Sequence, residues 1–252
     1  MRRIHYLHLI FILFLGLSAC GVKTHLADLK TETYRVNEAL LIPEEASIKK
    51  MIQPYKEQLD QEMNIVIGSF AKSLNKQKPE STLGNFVADI LKDYGSKTTG
   101  KNVDFAFQNY GGIRIGNVPE GPVTTGKIFE LMPFENMLVV LKMTGSDVLQ
   151  FLNHIGPSNG WPVSNGIQFE IKGGKPQNIL VHGKALDMDK IYYAAFPDYI
   201  ANGGDNCDFL KELERFDAGM LIRDCIIKHI KALSAAGQQA DAILENRITV
   251  IE

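Results

Sequence analysis

The chain has 252 residues, enough for one large domain or two small ones. Hydrophobic residues make up 45% and charged residues 22%, the proportions of an ordinary globular protein. Lys plus Arg number 27 against 29 Asp plus Glu, a net charge of -2, which argues against wholesale nucleic-acid binding.

Arg2 and Arg3 precede an apolar run, LHLIFILFLGL (7–17), that is too short to span a bilayer comfortably and ends in LSAC (17–20). Small residues ahead of a cysteine resemble a bacterial lipoprotein signal. The resemblance implies a signal peptide over 1–19, a lipid on Cys20, and a place in the bacterial cell envelope, extracytoplasmic, on the periplasmic side or at the cell surface. The competing reading is an uncleaved anchor with an incidental cysteine; charge, core length and cleavage residues agree on the first. Several acyl chains hold firmly, since each buried methylene contributes ~0.8 kcal/mol. Two cysteines remain beyond it, Cys207 and Cys225. An oxidising compartment permits a disulfide between them, and two unpaired, partly buried thiols fit the sequence equally well.

Residues 20–44 read as the lipidated cysteine and a tether, with one short strand around ETYRVNEALLI. EEASIKKMIQPYKEQLDQEM (44–63) spaces Ile48, Met51, Tyr55, Leu59 and Met63 as a helix does, with Pro54 predicting a kink or an early break. NIVIGSF (64–70) reads as a strand. STLGNFVADILKDYG (81–95) reads as an amphipathic helix capped by Ser81 and stopped by Gly95. NVDFAFQN (102–109) is apolar enough to predict a central strand. TTGKIFELM (124–132) predicts a short helix closed by Pro133, NMLVVLKM (136–143) a strand, and TGSDVLQFLNHI (144–155) a helix capped near Ser146. GIQFEIKGGKPQNILVHGK (166–184) reads as a hairpin turning at Gly173–Gly174. KIYYAAFPDYI (190–200) predicts a strand ending at a Gly-Gly turn, and AGMLIRDCIIKHIKAL (218–233) a long helix. Strands and helices mix without strict alternation, which favours an α+β domain over a doubly wound sheet.

The usual catalytic inventories are poorly stocked. His5 and His8 lie in the signal, His25 in the tether, and His154, His182 and His229 stand apart from other ligands at metal spacing. Each reads as a surface or capped histidine, and no catalytic residue and no metal ligand is assigned. Neither a G-x-S-x-G elbow nor a G-x-x-x-x-G-K-[ST] loop is present.

A different set stands out: NYGGIR (109–114), MPFEN (132–136) and FPDYIANGGDN (196–206), each at a strand end or turn. Taken singly, Phe134 and Tyr199 read as core aromatics, Gly203–Gly204 as a turn, and Arg114 as a solvated charge. Taken together they make an inventory for a nucleoside-like ligand. Glycines let backbone N–H groups approach a ligand. Arg114 can fork onto phosphate oxygens or ribose hydroxyls. Phe134 and Tyr199 can stack a base, each stack being worth on the order of 1–3 kcal/mol. Asp205 can accept from vicinal ribose hydroxyls.

FAFQNYGGIR…GPVTTGKIFELMPFENMLVVLKMTGSDVLQFL resembles the C-terminal domain of the 5'-nucleotidases, in which an N-G-G-G-I-R turn is followed by G-x-[IV]-T, P-F-x-N and a T-G helix start. FPDYIANGGDN resembles that domain's second turn and STLGNFVADIL its G-N helix, in the same order, so that the resemblance covers about residue 45 to the C-terminus. It implies an α+β 5'-nucleotidase C-terminal-like domain over 45–252 that binds the nucleoside part of a substrate. Carried over, it implies substrate contacts from Asn109, Gly111, Gly112 and Arg114, base stacking by Phe134 and Tyr199, and a ribose site at Gly203, Gly204 and Asp205. Tyr199 stands where the family usually has phenylalanine. Tyr110 replaces the first glycine of the triple-glycine turn, and Pro79 in KQKPESTLGN stands about where the family has a substrate-gripping arginine. Lys76 or Lys78 can replace it as a point charge but not as a fork.

The family's N-terminal metallophosphatase patterns (D-x-H, G-N-H-[DE], G-H-x-H) have no counterpart in the chain. A two-metal site activates water for phosphate-ester hydrolysis. The resemblance therefore implies a free-standing nucleotide-binding half of a split 5'-nucleotidase, with no cofactor of its own and the divalent metal pair on a separate metallophosphatase chain. The alternative, favoured by Tyr110 and Pro79, is a non-catalytic solute-binding or scaffold lipoprotein that retains the fold.

Overall fold

The computed structural model describes Thr31, Thr33 and residues 45–252. The predicted signal, Cys20 and the tether with its strand, apart from those two threonines, lie outside the described residues. Residues 50–252 form one structural unit. Helix α1 (Ala46–Met63) runs through Pro54 without the predicted break, and none of its residues is buried. A proline removes one helix hydrogen bond, and an unburied helix can leave the freed carbonyl to water. The apolar stripe at Ile48, Met51, Tyr55 and Leu59 is exposed.

The centre is a mixed four-stranded sheet in the order β11 (Arg215–Leu221), β6 (Met137–Thr144), β10 (Ile191–Pro197) and β3 (Phe105–Ala106). β6 pairs antiparallel with both neighbours, and β3 runs parallel to β10. Alternate residues of a strand point to opposite faces, and here both faces are covered. Leu138, Val140 and Ala195 enter a core with α2 (Thr82–Thr99) and α6 (Ile222–Ala235). Val139, Leu141, Met143, Ala194 and Phe196 enter a second core with α4 (Gly145–Ile155) and β7 (Ile167–Lys172). Burial on both faces explains why NMLVVLKM is almost continuously apolar.

A second sheet has the order β12 (Ile248–Ile251), β7, β8 (Lys175–Val181) and β9 (Lys184–Ala185), with the predicted hairpin formed by β7 and β8. Two small antiparallel pairs complete the strands: β1 (Val66–Phe70) with β5 (Gly121–Thr124), and β2 (Leu74–Asn75) with β4 (Asn117–Val118). α3 (Thr125–Leu131) follows β5 directly, and α5 (Asp198–Ala201) follows β10.

Several expectations shift. β3 is the last strand of its sheet, not a central one. It is buried because the segment at Val163 covers it: Ala106 N donates to Ser164 Oγ at 2.8 Å, and Phe107 bridges to Val163. α2 does not stop at Gly95, which packs against Ala195 and Val140, but four residues after Ser96, at Gly100 in the left-handed conformation (φ 68). The cap of α4 is Thr144, in a reciprocal capping box with Asp147, rather than Ser146. Residues 218–221 belong to β11, so the long helix begins only at Ile222. β12 was not expected at all.

Cys207 and Cys225 are both free and buried, and they sit in different cores on opposite faces of the central sheet, which rules out the disulfide. Burial first, then nearby carboxylates, pushes both thiols up to about 12. At pH 8 the thiolate fraction is then on the order of one in ten thousand. Both cysteines should resist iodoacetamide at pH 8 in the native protein and react once it is unfolded in urea, read by peptide mass mapping. Fast native labelling at either position contradicts this packing.

Candidate functional site

The three motif segments converge. NYGGIR leaves the end of β3, MPFEN joins α3 to β6, and DYIANGGDN follows β10; β10 lies between β3 and β6, so all three emerge together at one end of the sheet. They enclose a cavity of about 290 Å³ lined by Asn109, Gly111, Gly112, Arg114, Phe134, Asn136, Tyr199 and Asp205. Seven of the nine sequence-predicted residues therefore lie on one wall or another of it. Gly203 and Gly204 do not line it. They shape the loop instead: Gly203 has φ 91, and a Cβ on Gly204 would lie 2.5 Å from the Tyr199 ring.

Phe134 and Tyr199 are 48% and 45% exposed, too open for core aromatics of ordinary packing. They line the same cavity without stacking on each other. Asp205 has φ 51 and Asn206 φ 64, left-handed backbone that is uncommon outside glycine. Such strain persists where surrounding contacts over-determine it, and here they are visible. The Tyr199 hydroxyl donates to Asp205 Oδ1 at 3.0 Å and accepts from Asp205 N at 3.3 Å. Asn109 Nδ2 donates to Asp205 Oδ2 at 3.0 Å, and His154 Nε2 lies 2.9 Å from Asp205 O. The bond to the Asp205 carboxylate raises the Tyr199 phenol above its ordinary range. The hydroxyl that distinguishes this tyrosine from a phenylalanine thus fastens the ring to the carboxylate loop.

On the other wall, Arg114 Nη1 donates to Gly111 O at 3.1 Å, and its guanidinium lies 5.5 Å from the Phe134 ring centroid. Gly112 is buried, and a Cβ there would meet Gln108 Nε2 at 2.1 Å and Asn109 Oδ1 at 2.6 Å. That close packing sets Asn109, whose Oδ1 accepts from Gln108 Nε2 at 2.8 Å, so that its amide faces Asp205.

Four contributors were not predicted as site residues. Asn136 lines the cavity; it stood inside the MPFEN motif, which was the signal available. Asp198 Oδ1 accepts from Met137 N at 3.0 Å and Tyr199 N at 2.8 Å, tying two of the segments together. His154, read as a surface or capped histidine, holds the Asp205 carbonyl. Arg223 is buried on α6, lies 4.0 Å from the Phe129 ring, and donates to Met132 O and Pro133 O at 3.4 and 3.3 Å, which supports the loop that carries Phe134.

A larger depression of about 450 Å³ lies against α2 and His229. Its charges are already matched: Asp89 with Arg247, Asp93 with Lys97 and Asp241 with Lys72, while Lys92 bonds to Asn165 in the field of Asp89, Asp104 and Asp93. It lacks the open aromatic faces of the smaller cavity. Among the described residues no group of three His, Cys, Asp or Glu could hold a metal ion.

The family model described as 5'-nucleotidase, C-terminal domain, matches residues 59–212. A 5'-nucleotidase of Vibrio vulnificus is 29% identical over 173 residues, covering 65% of this chain and 30% of that protein. Protein UshA of Escherichia coli is 27% identical over 183 residues, covering 69% of this chain and 32% of that protein. Among solved structures, a 5'-nucleotidase precursor from Thermus thermophilus superimposes with a TM-score of 0.68 at 29% identity, over 81% of this chain and 43% of that one. The NAD nucleotidase of Haemophilus influenzae, at 22% identity and a TM-score of 0.61, shares the fold. The chain spans about a third of the length of these curated relatives.

Proposed function

Because the chain belongs to the 5'-nucleotidase C-terminal domain family, we propose that it is the nucleoside- or nucleotide-binding half of a split 5'-nucleotidase-type phosphohydrolase of nucleotide catabolism. The observation that carries this reading is the single cavity in which Asn109, Arg114, Phe134, Tyr199 and Asp205 meet from three separate segments. The base enters between the Phe134 and Tyr199 rings. The ribose hydroxyls donate to the Asp205 carboxylate, which has about four acceptor positions and uses one on each oxygen for Asn109 and Tyr199. The bare backbone of Gly111 and Gly112 lets the ligand come close, and Arg114 faces its phosphate.

In this reading a separate metallophosphatase chain supplies the divalent metal pair and the nucleophile, the cavity mouth faces that partner, and a lipid on Cys20 holds the assembly at the membrane in the cell envelope. Ligand sites commonly lie at such domain interfaces. The test is calorimetric titration of the full chain with adenosine and uridine, beside a phosphate-release assay on their monophosphates with added divalent metal. The expected result is nucleoside binding without phosphate release, and release once the metallophosphatase chain is added. Robust hydrolysis by this chain alone refutes the split arrangement. No nucleoside binding leaves the scaffold reading.

A further inference from the structure

Next to the cavity two lysines gather around Tyr110, and Arg114, which lines the cavity, lies near enough to repel one of them. Lys76 Nζ lies 3.9 Å and Lys78 Nζ 4.8 Å from the Tyr110 ring centroid, close enough for the ring to attract both ammonium groups. Lys76 Nζ donates to Ile113 O at 2.6 Å, Lys78 Nζ to Ser158 O, and Arg114 Nη1 to Gly111 O. All three acceptors are neutral carbonyls. Among the described residues no carboxylate pairs with any of the three. Burial, then Arg114, then Lys78 hold the Lys76 ammonium below its ordinary range. Positive charge gathered without a counter-charge is repulsion that an anion relieves.

Arg114 belongs to both the cluster and the cavity lining, so the two are continuous. We propose that Lys76, Lys78 and Arg114 form an anion subsite abutting the cavity that takes a chain of two or more phosphates, so that the preferred ligand is a nucleoside diphosphate or longer and not a monophosphate. The inference rests on the nucleoside reading of the cavity. The charge count sets the length of the chain. One phosphate ester carries close to two negative charges at neutral pH, and one arginine fork is an ordinary match for it. Two added ammonium groups leave a surplus that a further phosphate balances. Each ammonium has three donors and uses one on its carbonyl. Lysines act as point charges on flexible stems rather than as planar forks, which suits a phosphate chain that rotates.

The test titrates the full chain calorimetrically with adenosine, AMP, ADP and inorganic pyrophosphate at low and high salt. Wild type is compared with Lys76→Ala/Lys78→Ala, Lys76→Arg/Lys78→Arg and Phe134→Ala, with thermal melts as a check on folding. Lys78 is exposed and Lys76 half-buried, so neither change empties a core. Wild type should bind ADP at least tenfold more tightly than AMP, with the advantage shrinking at high salt. The double alanine variant should lose that advantage and the double arginine variant keep it. Equal affinity for AMP and ADP in wild type, or an advantage that survives the double alanine change, overturns the subsite. Pyrophosphate bound by wild type and lost in the double alanine variant, with no adenosine bound at all, supports the subsite and overturns the nucleoside pocket.

Discussion

Replacing Phe134 by alanine should weaken nucleoside binding by roughly 5- to 150-fold, the equivalent of the ~1–3 kcal/mol of one base stack. Phe134 is half-exposed, so its removal leaves no core void, and the melting temperature of the free protein should barely move. Tyr199 separates two contributions that Phe134 cannot. Tyr199→Ala removes a ring and the two hydrogen bonds to Asp205. Tyr199→Phe keeps the ring and removes only the bonds, each worth about 0.5–1.5 kcal/mol. Affinity should therefore fall in the order wild type, Tyr199→Phe, Tyr199→Ala. The middle variant reports how much of the site depends on holding Asp205 in its left-handed conformation. Calorimetry with adenosine and uridine checks the series. Wild-type affinity in Phe134→Ala removes the ring pair as the base slot.

The parts of this site that were legible in the sequence lie in three short segments, each recognisable as a motif. Singly, Phe134 and Tyr199 read as core aromatics and Arg114 as a solvated charge; NYGGIR, MPFEN and FPDYIANGGDN carry the site when they are read together and in order. What was illegible depends on placement. Arg223 supports the Phe134 loop from 90 residues away, and nothing local distinguishes it from a surface arginine of an amphipathic helix. His154 reads as an ordinary late-helix residue until Asp205 arrives 51 residues later to meet it. The fold shows the same division. Hairpin β7–β8 announces itself through its glycine turn, whereas β12 pairs in parallel with β7 across a long stretch of chain. Residues 218–221 have enough apolar character for either a helix or a strand, and pairing of β11 along β6 decides for the strand. Both faces of β3 are buried, which mimics a central strand, but the cover on its open edge comes from the irregular segment at Val163 and Ser164.

Arg247 is one of the side chains that fasten that cover, and Arg247→Met should be strongly destabilising although it lies away from the site. Arg247 is 3% exposed. Its two terminal nitrogens meet the two Asp89 oxygens at 2.8 Å each, a bidentate pair, while Nη1 also donates to Val163 O and Nε to Glu245, both at 2.9 Å. Asp89 in turn accepts from Asn165 N at 2.8 Å, and Glu80 accepts from Arg247 N at 3.1 Å. One guanidinium thus joins α2, the segment over β3 and the chain leading into β12. Removing one partner of a buried pair costs about 3–5 kcal/mol. Asp89 is 33% exposed and can recover some water, which places the expected loss near the lower figure. Methionine fills the volume without the fork, so a large effect reports the bonds rather than a cavity. Arg247→Lys keeps a charge but not the planar fork, and its loss should be intermediate. Urea unfolding followed by circular dichroism measures both. A loss below about 0.5 kcal/mol, the range of ordinary surface substitutions, contradicts the network. Nucleoside affinity in the folded Arg247→Met variant should stay within a few-fold of wild type, because the guanidinium bonds to Asp89, Glu245 and Val163 O, none of which lines the cavity.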